Sequence, residues 1–185
     1  KESAMLCVGI DPGLDGAVAV IDDRRAGRED GRVRTWDIPT LTVASAGGHR
    51  REYQLPAMVD ILRSFVPCLG RDVRAALELV HSSPQQGVRS AFSMGVGVGV
   101  WEGLLAALGI PYERVPPQRW KRVMLDGMGH DKDAARLRVG QLFPDVDVRL
   151  KKHHGRADAV LIAEWLRRTV VGPSLSAEAV EAAPF

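Results

Sequence analysis

The chain has 185 residues, of which 45% are hydrophobic and 26% charged, which favours one well-packed domain and excludes a large multidomain enzyme. Its formal net charge is +2, but residues 112–156 carry 11 basic and 6 acidic side chains, which predicts either a nucleic-acid contact surface or a solvated face. No signal-peptide pattern and no run of about 18 continuous apolar residues is present, and we therefore expect no membrane association.

Three strands are predicted before the first helix. The apolar runs Met5–Ile10 and Ala17–Ile21 are joined by a short turn with glycines and predict a hairpin, and partial alternation over residues 32–38 predicts a third strand. Ser, Gly, Ala and Arg dominate residues 42–52, which predicts a mobile loop. Leu55–Phe65 then carries apolar residues at helical spacing.

The second half of the chain alternates strands and helices. Ala75–Val80 is a short apolar run, residues 90–108 predict a long helix that ends at a glycine, and Tyr112–Val115 predicts a fifth strand. Two further helices are predicted at Asp131–Phe143 and Ala157–Val170. This order of elements is typical of a single α/β domain.

Three acidic side chains interrupt apolar segments, where an ionised carboxylate is costly to desolvate. Asp11 ends the first strand, Glu78 lies inside the fourth, and Asp158 lies one turn after His154 on the helix stripe that should face the sheet. Each acid alone has an ordinary explanation, a Pro-Gly turn or a buried salt bridge. Together they predict a divalent metal site, because Mg²⁺ prefers carboxylate oxygens and offsets their mutual repulsion.

Three segments resemble the RuvC-type Holliday junction resolvases over about residues 5–168. Gly9-Ile10-Asp11-Pro12-Gly13-Leu14-Asp15-Gly16 is similar to the opening motif of the family, Glu78 occupies the position of its second strand acid, and His154-Gly155-Arg156-Ala157-Asp158-Ala159 resembles its C-terminal metal-binding helix. Bacterial members usually carry an acid at the position of His154. The histidine is more similar to the chloroplast resolvases of plants.

The resemblance implies an α/β fold of the ribonuclease H-like type (retroviral integrase superfamily), with a five-stranded mixed sheet flanked by helices over residues 1–172 and a flexible tail at residues 173–185. It implies a crossover junction endodeoxyribonuclease, which resolves four-way DNA junctions by paired, symmetric, metal-dependent hydrolysis of phosphodiesters. The expected catalytic metal ligands are Asp11, Glu78, His154 and Asp158. We expect two Mg²⁺ ions per site, with Mn²⁺ tolerated because an imidazole softens the ligand set.

Lys121 and Lys132 correspond to lysines beside the active site in the family, where an ammonium group can stabilise charge developing on the phosphate. Lys132 is the expected catalytic lysine, because it opens a predicted helix whose N-terminal amides also favour phosphate. Two exposed surface lysines are the alternative interpretation. We interpret Trp120 as part of the core or a packing wall rather than as a base-stacking platform. The DNA contacts expected from the basic stretch are Arg119, Lys121, Lys132, Lys151 and Lys152.

The segment from His81 to Phe92 is polar and turn-prone, with side chains able to hydrogen-bond to base edges. In the family the corresponding loop reaches the centre of the junction, although bacterial members place an aromatic residue where this chain has His81. An ordinary connection between strand and helix is the alternative. The residues expected to contact DNA here are His81, Ser82, Ser83, Gln85, Gln86 and Arg89.

The long predicted helix contains Gly95, Gly97 and Gly99, each of which costs about 0.5–1 kcal/mol relative to alanine in a helix. Close approach of a neighbouring backbone would offset that cost. In the family the corresponding helix lies in a dimer interface, and the resemblance therefore implies a homodimer with two active sites facing one four-way junction. Close packing within one subunit is the alternative.

Three other functions remain open from the sequence. A ribonuclease H acting on RNA/DNA hybrids would need the same acids, and a non-catalytic junction-binding protein would need the basic surface alone. The Asp11-Pro12-Gly13 turn also resembles the phosphate loop of actin-like ATPases and sugar kinases, but those proteins need two such domains.

The compartment is expected from composition and resemblance. Cys7 and Cys68 lack CxxC spacing, which favours a reducing environment. The plant-like histidine implies a chloroplast location, and the first residue, Lys1, leads us to expect that a transit peptide has been removed.

Overall fold

The computed structural model describes residues 5–22, 33–45, 47–65, 72–80, 87–129 and 133–171. The strands in these ranges are β1 (Met5–Asp11), β2 (Ala17–Asp22), β3 (Val33–Asp37), β4 (Thr40–Ser45), β5 (Gly48–Tyr53), β6 (Asp72–Glu78) and β7 (Tyr112–Val115). The helices are α1 (Leu55–Arg63), α2 (Val88–Ala107), α3 (Pro117–Met124), α4 (Ala134–Leu142) and α5 (His154–Val171). The predicted tail at residues 173–185 lies outside these ranges.

Five strands form a mixed sheet in the order β3-β2-β1-β6-β7, which confirms the predicted fold class. β1 pairs antiparallel with β2 and parallel with β6, while β6 pairs parallel with β7. β1 is the central strand and its residues Leu6–Ile10 are fully buried or nearly so, which explains why its sequence is a continuous apolar run.

Each face of the sheet carries its own hydrophobic core. Side chains such as Leu6, Val8 and Ile10 of β1 pack with α1 and α2 on one face, whereas Cys7 packs with α3, α4 and α5 on the other. Alternate residues of a strand point to opposite faces. The parity of a residue in β1 or β6 therefore decides which layer of helices it meets.

Residues 42–52 do not form the mobile loop that their composition predicts. The described residues in this segment form the hairpin β4–β5, in which Thr40 pairs with Tyr53 and Val43 with Arg50. Ala44 and Ser45 end β4, and β5 begins at Gly48, whose φ of 131° favours glycine. The strand signal was missed because both strands are solvated and carry few apolar residues.

The structure contains one helix that the sequence pattern does not predict, α3, and several helices begin or end at residues other than those predicted. α3 begins at Pro117, a position where proline costs the helix no hydrogen bond, but only Trp120 and Met124 on its one buried stripe indicate a helix. α5 begins at His154, three residues before its predicted start, because a 3₁₀ turn at Lys151–His153 leads directly into it.

The glycines of α2 divide between two environments. A Cβ on Gly97 would lie 2.3 Å from the hydroxyl of Tyr53 and 2.6 Å from the carbonyl oxygen of Pro12, whereas nothing lies within 4 Å of a Cβ at Gly95 or Gly99. The internal-packing explanation therefore holds for Gly97 alone. Gly95 and Gly99 face outward.

α2 is the one helix of the described ranges that is long and apolar enough to cross a membrane. A core helix of a soluble protein passes the same test, and one such helix is weak support for a span. Gly97, Trp101 and Leu105 form its buried stripe, and Trp101 and Leu105 belong to the core on that face of the sheet.

Candidate active site and nucleic-acid interface

Asp11 and Glu78 lie side by side at the ends of two neighbouring parallel strands. The register of β1 and β6 pairs Ile10 with Leu77, and the two acids are the next residue of each strand. Asp11 shares the parity of Cys7, and Glu78 that of Ala76, and both of those residues belong to the core beneath α5. Both carboxylates therefore point to the face of the sheet that α5 covers.

The turn after Asp11 is compact enough to bring α5 close to this acid. Oδ1 of Asp11 accepts a hydrogen bond from the amide of Gly13 at 3.2 Å, and the amide of Gly16 donates to the carbonyl of Gly13 at 2.9 Å. A Cβ on Gly155 would lie 2.2 Å from the carbonyl oxygen of Asp15. Glycine at this position of α5 is therefore required for the approach.

α5 contributes His154 and Asp158 from its first two turns. Nδ1 of His154 lies 3.2 Å from the carbonyl oxygen of Lys151. Since a carbonyl only accepts, this contact in a neutral ring places the proton on Nδ1 and leaves the lone pair of Nε2 available to bind a metal. Arg156 between them donates to both oxygens of Asp37 at 2.5 and 2.6 Å, which ties the start of α5 to the end of β3.

The three acids interact electrostatically. Burial, and after it the charge of Asp11, raises the pKa of Glu78 to about 7. Burial also raises the pKa of Asp158 to about 6, with Lys121 acting in the opposite direction and Asp11 adding to the rise. The pKa of Asp11 is raised as well, chiefly by burial, although the amide of Gly13 lowers it in part. The predicted constellation is therefore brought together by the fold.

Trp120 is a site residue that the sequence did not reveal. Its indole Nε1 donates to Oε1 of Glu78 at 3.0 Å across 42 residues of sequence, and Trp120 is fully buried. The expectation that Trp120 belongs to the core is confirmed. Its hydrogen bond to Glu78 has no signal in the sequence, because it depends on how α3 packs against β6.

The donor set fits a hard divalent cation. Three carboxylates with raised pKa values share this region with the positive charge of Lys121, so a dication would relieve their repulsion. Within the described residues, no group of three His, Cys, Asp or Glu side chains is arranged so that it could hold a metal ion. Mg²⁺ is commonly held by one or two carboxylates together with waters and substrate phosphate.

A groove of about 1280 Å³ lies between α3, α4 and α5, and of the three acids Asp158 lines it. His154 lines it as well, together with polar and charged side chains of both signs. These are Gln118, Lys121, Arg122, Asp126, Asp133, Arg136 and Lys151. The basic side chains suit contact with a phosphate backbone, although Arg136 is paired with Asp133.

The other residues predicted to contact DNA lie in different environments. Lys152 and Arg89 are exposed. The guanidinium of Arg119 lies over the ring of Trp165, 5.1 Å from its centroid, and 3.8 Å from Glu113, so this residue has a structural role in the described fold. The remaining predicted contacts, Lys132, His81, Ser82, Ser83, Gln85 and Gln86, lie outside the described residues.

Comparison with known proteins supports the resemblance seen in the motifs. No family model matches the chain. Over 84 residues it is 38% identical to the chloroplastic Holliday junction resolvase MOC1 of Chlamydomonas reinhardtii, and the match covers 44% of this chain and 10% of that protein. The chain therefore spans a small part of the curated relative.

Two solved structures of Thermus thermophilus RuvC share the fold. The RuvC in complex with Holliday junction substrate has a TM-score of 0.52 at 17% identity, over 89% of this chain and 92% of that one. A second RuvC structure has a TM-score of 0.51 at 16% identity, over 90% and 96%. The chain has the ribonuclease H-like fold of RuvC, and its sequence resembles the RuvC-type Holliday junction resolvases.

Proposed function

We propose that this chain is a structure-selective DNA endonuclease that resolves four-way junctions by paired, symmetric hydrolysis of phosphodiesters. The observation that carries the proposal is the meeting of the buried acids Asp11, Glu78 and Asp158, of which Asp158 also lines a groove that carries basic side chains. The likeness to the chloroplastic Holliday junction resolvase MOC1 and to a RuvC bound to junction substrate supports the choice of substrate.

The residues that would hold Mg²⁺, or Mn²⁺, are Asp11, Glu78, His154 and Asp158, with two ions as the proposed number. Such ions, when bound, polarise the phosphate and activate water. The acids of β1 and β6 keep their positions because both strands are buried, and Arg156 orients the helix that carries the other two ligands.

Lysine side chains supply positive charge close to the three acids. Lys121 lies close enough to Asp11, Glu78 and Asp158 to lower the pKa of each. A phosphate brought to the acids therefore meets a positive charge on α3, which favours the transition state as negative charge builds on oxygen. From the resemblance of the sequence motif, we propose Lys132 as the catalytic lysine.

The partner that completes the function is a second copy of the chain. The outward face of α2 exposes Val88, Phe92 and Val96, with Phe92 exposed by 73%, and Gly95 and Gly99 leave room there for close approach of another backbone. A two-fold dimer through this face would present two identical sites to the two strands of opposite polarity in a junction. By its likeness to a chloroplastic resolvase, we propose the chloroplast as its location.

The decisive experiment compares three nucleic acids of matched sequence: a synthetic four-way DNA junction, linear duplex and an RNA/DNA hybrid, each with Mg²⁺ or with EDTA. We expect paired symmetric nicks on the junction alone and only with Mg²⁺. Preferential cutting of the hybrid would favour a ribonuclease H, and junction binding without cutting would favour a structural protein.

Asp11→Asn separates binding from chemistry in the same assay. The substitution keeps the shape of the side chain and removes its charge, so we expect normal junction affinity and a loss of nicking of at least about a hundredfold. Retained nicking in this variant would contradict the assignment of Asp11.

A further inference from the structure

The hydrogen bond between Trp120 and Glu78 joins the two residues in a buried place. Its length is 3.0 Å, Trp120 is 0% exposed and Glu78 is 7% exposed. An indole N–H can only donate, and an ionised carboxylate can only accept. The pair is therefore matched in chemistry as well as in position.

This contact also fixes which oxygen of Glu78 is engaged. Trp120 donates to Oε1, and within the described ranges no other hydrogen bond to this carboxylate is present. The ring of Trp120 is held in the core formed with Met124, Val115 and Phe143, so its N–H is a rigid donor. Oε2 is left for the region shared with Asp11 and Asp158.

Burial of a tryptophan does not by itself require such an acceptor in this fold. Trp101 on α2 is also 0% exposed, and its Nε1 has no hydrogen-bond partner in the described part of the chain. α3, by contrast, directs Trp120 at Glu78 and places the neighbouring Lys121 near the same acids. One short helix thus contributes two contacts to the site.

We propose that Trp120 is a positioning residue, whose indole N–H holds the Glu78 carboxylate in the orientation that presents its second oxygen to a divalent cation shared with Asp11 and Asp158. This inference rests on the proposed metal-dependent function. It assigns α3 a part in the metal site as well as in the basic groove.

The test measures metal binding without DNA or turnover. Binding of Mn²⁺ is followed by the electron paramagnetic resonance signal of the free ion, for the unmodified chain, Trp120→Phe, Trp101→Phe and Asp11→Asn. Trp120→Phe keeps a buried ring and loses the donor, and we expect its Mn²⁺ affinity to fall by about tenfold to a hundredfold, as when a partner that orients a metal ligand is removed. Trp101→Phe is the matched control and should bind as the unmodified chain does.

A second readout requires no change at Trp120. The chain has four tryptophans, so the ¹H–¹⁵N spectrum gives four indole signals, and Phe variants of Trp36, Trp101 and Trp165 identify that of Trp120 by elimination. Added Mg²⁺ should shift this signal in a saturable way and should leave that of Trp101 in place. The measurement carries the test if Trp120→Phe does not fold.

The outcomes separate this inference from the proposed function. If the unmodified chain binds no more Mn²⁺ than Asp11→Asn, the metal site itself is wrong and the role of Trp120 falls with it. If Asp11→Asn loses binding while Trp120→Phe binds as well as Trp101→Phe, only the positioning role is overturned. An unmoved Trp120 signal at saturating Mg²⁺ also overturns it.

Discussion

The acids at the ends of β1 and β6 occupy positions that would favour stability if they were apolar. Glu78 follows Ala75, Ala76 and Leu77, which are 1% exposed or less. An apolar side chain at the position of Glu78 would extend that core. Keeping a carboxylate there costs free energy of desolvation. Such a cost, retained at a point where three acids meet, is typical of a functional site.

The cost predicts a dependence of stability on pH in the metal-free chain. Glu78 has a pKa of about 7 against an ordinary 4.5, and Asp158 about 6 against 3.8, so between pH 4 and 7 the folded chain binds more protons than the unfolded chain. Stability should therefore fall as pH rises through this window. Since a tenfold change in proton affinity is worth about 1.4 kcal/mol, the total is on the order of a few kcal/mol.

Thermal unfolding in EDTA from pH 5 to pH 8 measures this effect. The pKa values of Asp37 and Glu164 are lowered, so these two groups change stability only at pH values below about their ordinary pKa. Above that pH, the change in stability comes from Glu78 and Asp158. Glu78→Gln should flatten the slope, and Mg²⁺ should raise the melting temperature more at pH 8 than at pH 5. A melting temperature that is constant with pH would contradict shared burial of these acids.

The helix α2 shows how much a single methyl group matters when one element packs on another. Gly97 faces the hydroxyl of Tyr53, which itself donates to the carbonyl of Pro12 at 3.0 Å. That carbonyl belongs to the turn after Asp11. The helix, the β4–β5 hairpin and the active-site turn therefore meet at one glycine.

Gly97→Ala should be destabilising by about 1–3 kcal/mol, because the added Cβ overlaps Tyr53 and Pro12. Gly103→Ala lies on the same helix with nothing within 4 Å of the new Cβ, and the better helix propensity should stabilise it by up to about 1 kcal/mol. Urea unfolding of both variants at low protein concentration gives the comparison. Equal effects at the two positions would show that α2 does not pack on Tyr53 as described.

The sequence predicts those strands and helices that are mostly apolar and buried. β1, β2 and β7 are short and apolar or flanked by clear turns, and α5 has apolar residues on several sides because α3, α4 and the sheet surround it. The β4–β5 hairpin was not predictable, because its strands carry His49, Arg50 and Arg51 in solvent. Composition alone does not distinguish such strands from a loop.

The sequence predicts those residues of the candidate site whose type does not fit the segment around them. Asp11, Glu78 and Asp158 are charged residues in apolar segments, which is a local signal. Trp120 obeys every local rule for a core residue, so its hydrogen bond to Glu78 required the packing of α3. The ion pair of Arg156 with Asp37 joins residues 119 positions apart and had no local signal either.

At the scale of the whole molecule, the helices on the two faces of the sheet differ in how much apolar surface they leave exposed. Three helices, α3, α4 and α5, pack on one face of the sheet. On the other face, the side of α2 turned away from the sheet leaves Val88 and Phe92 exposed by 86% and 73%. A contiguous apolar surface of this kind usually marks an interaction site. The groove and the apolar face of α2 are separate surfaces, and the proposed function assigns the first to DNA and the second to another copy of the chain.

Under the proposed dimer through α2, Phe92→Asp should give a monomer, because a charge at the centre of an apolar interface must be desolvated without a partner. Sedimentation velocity over a range of concentrations measures the change, with Leu137→Asp as the control, since Leu137 is exposed by 56% on α4. The monomer should also lose paired nicking of a four-way junction and retain single, uncoupled nicks, because each subunit carries a full set of acids. A Phe92→Asp chain that sediments as the unmodified chain does would place the dimer contact elsewhere.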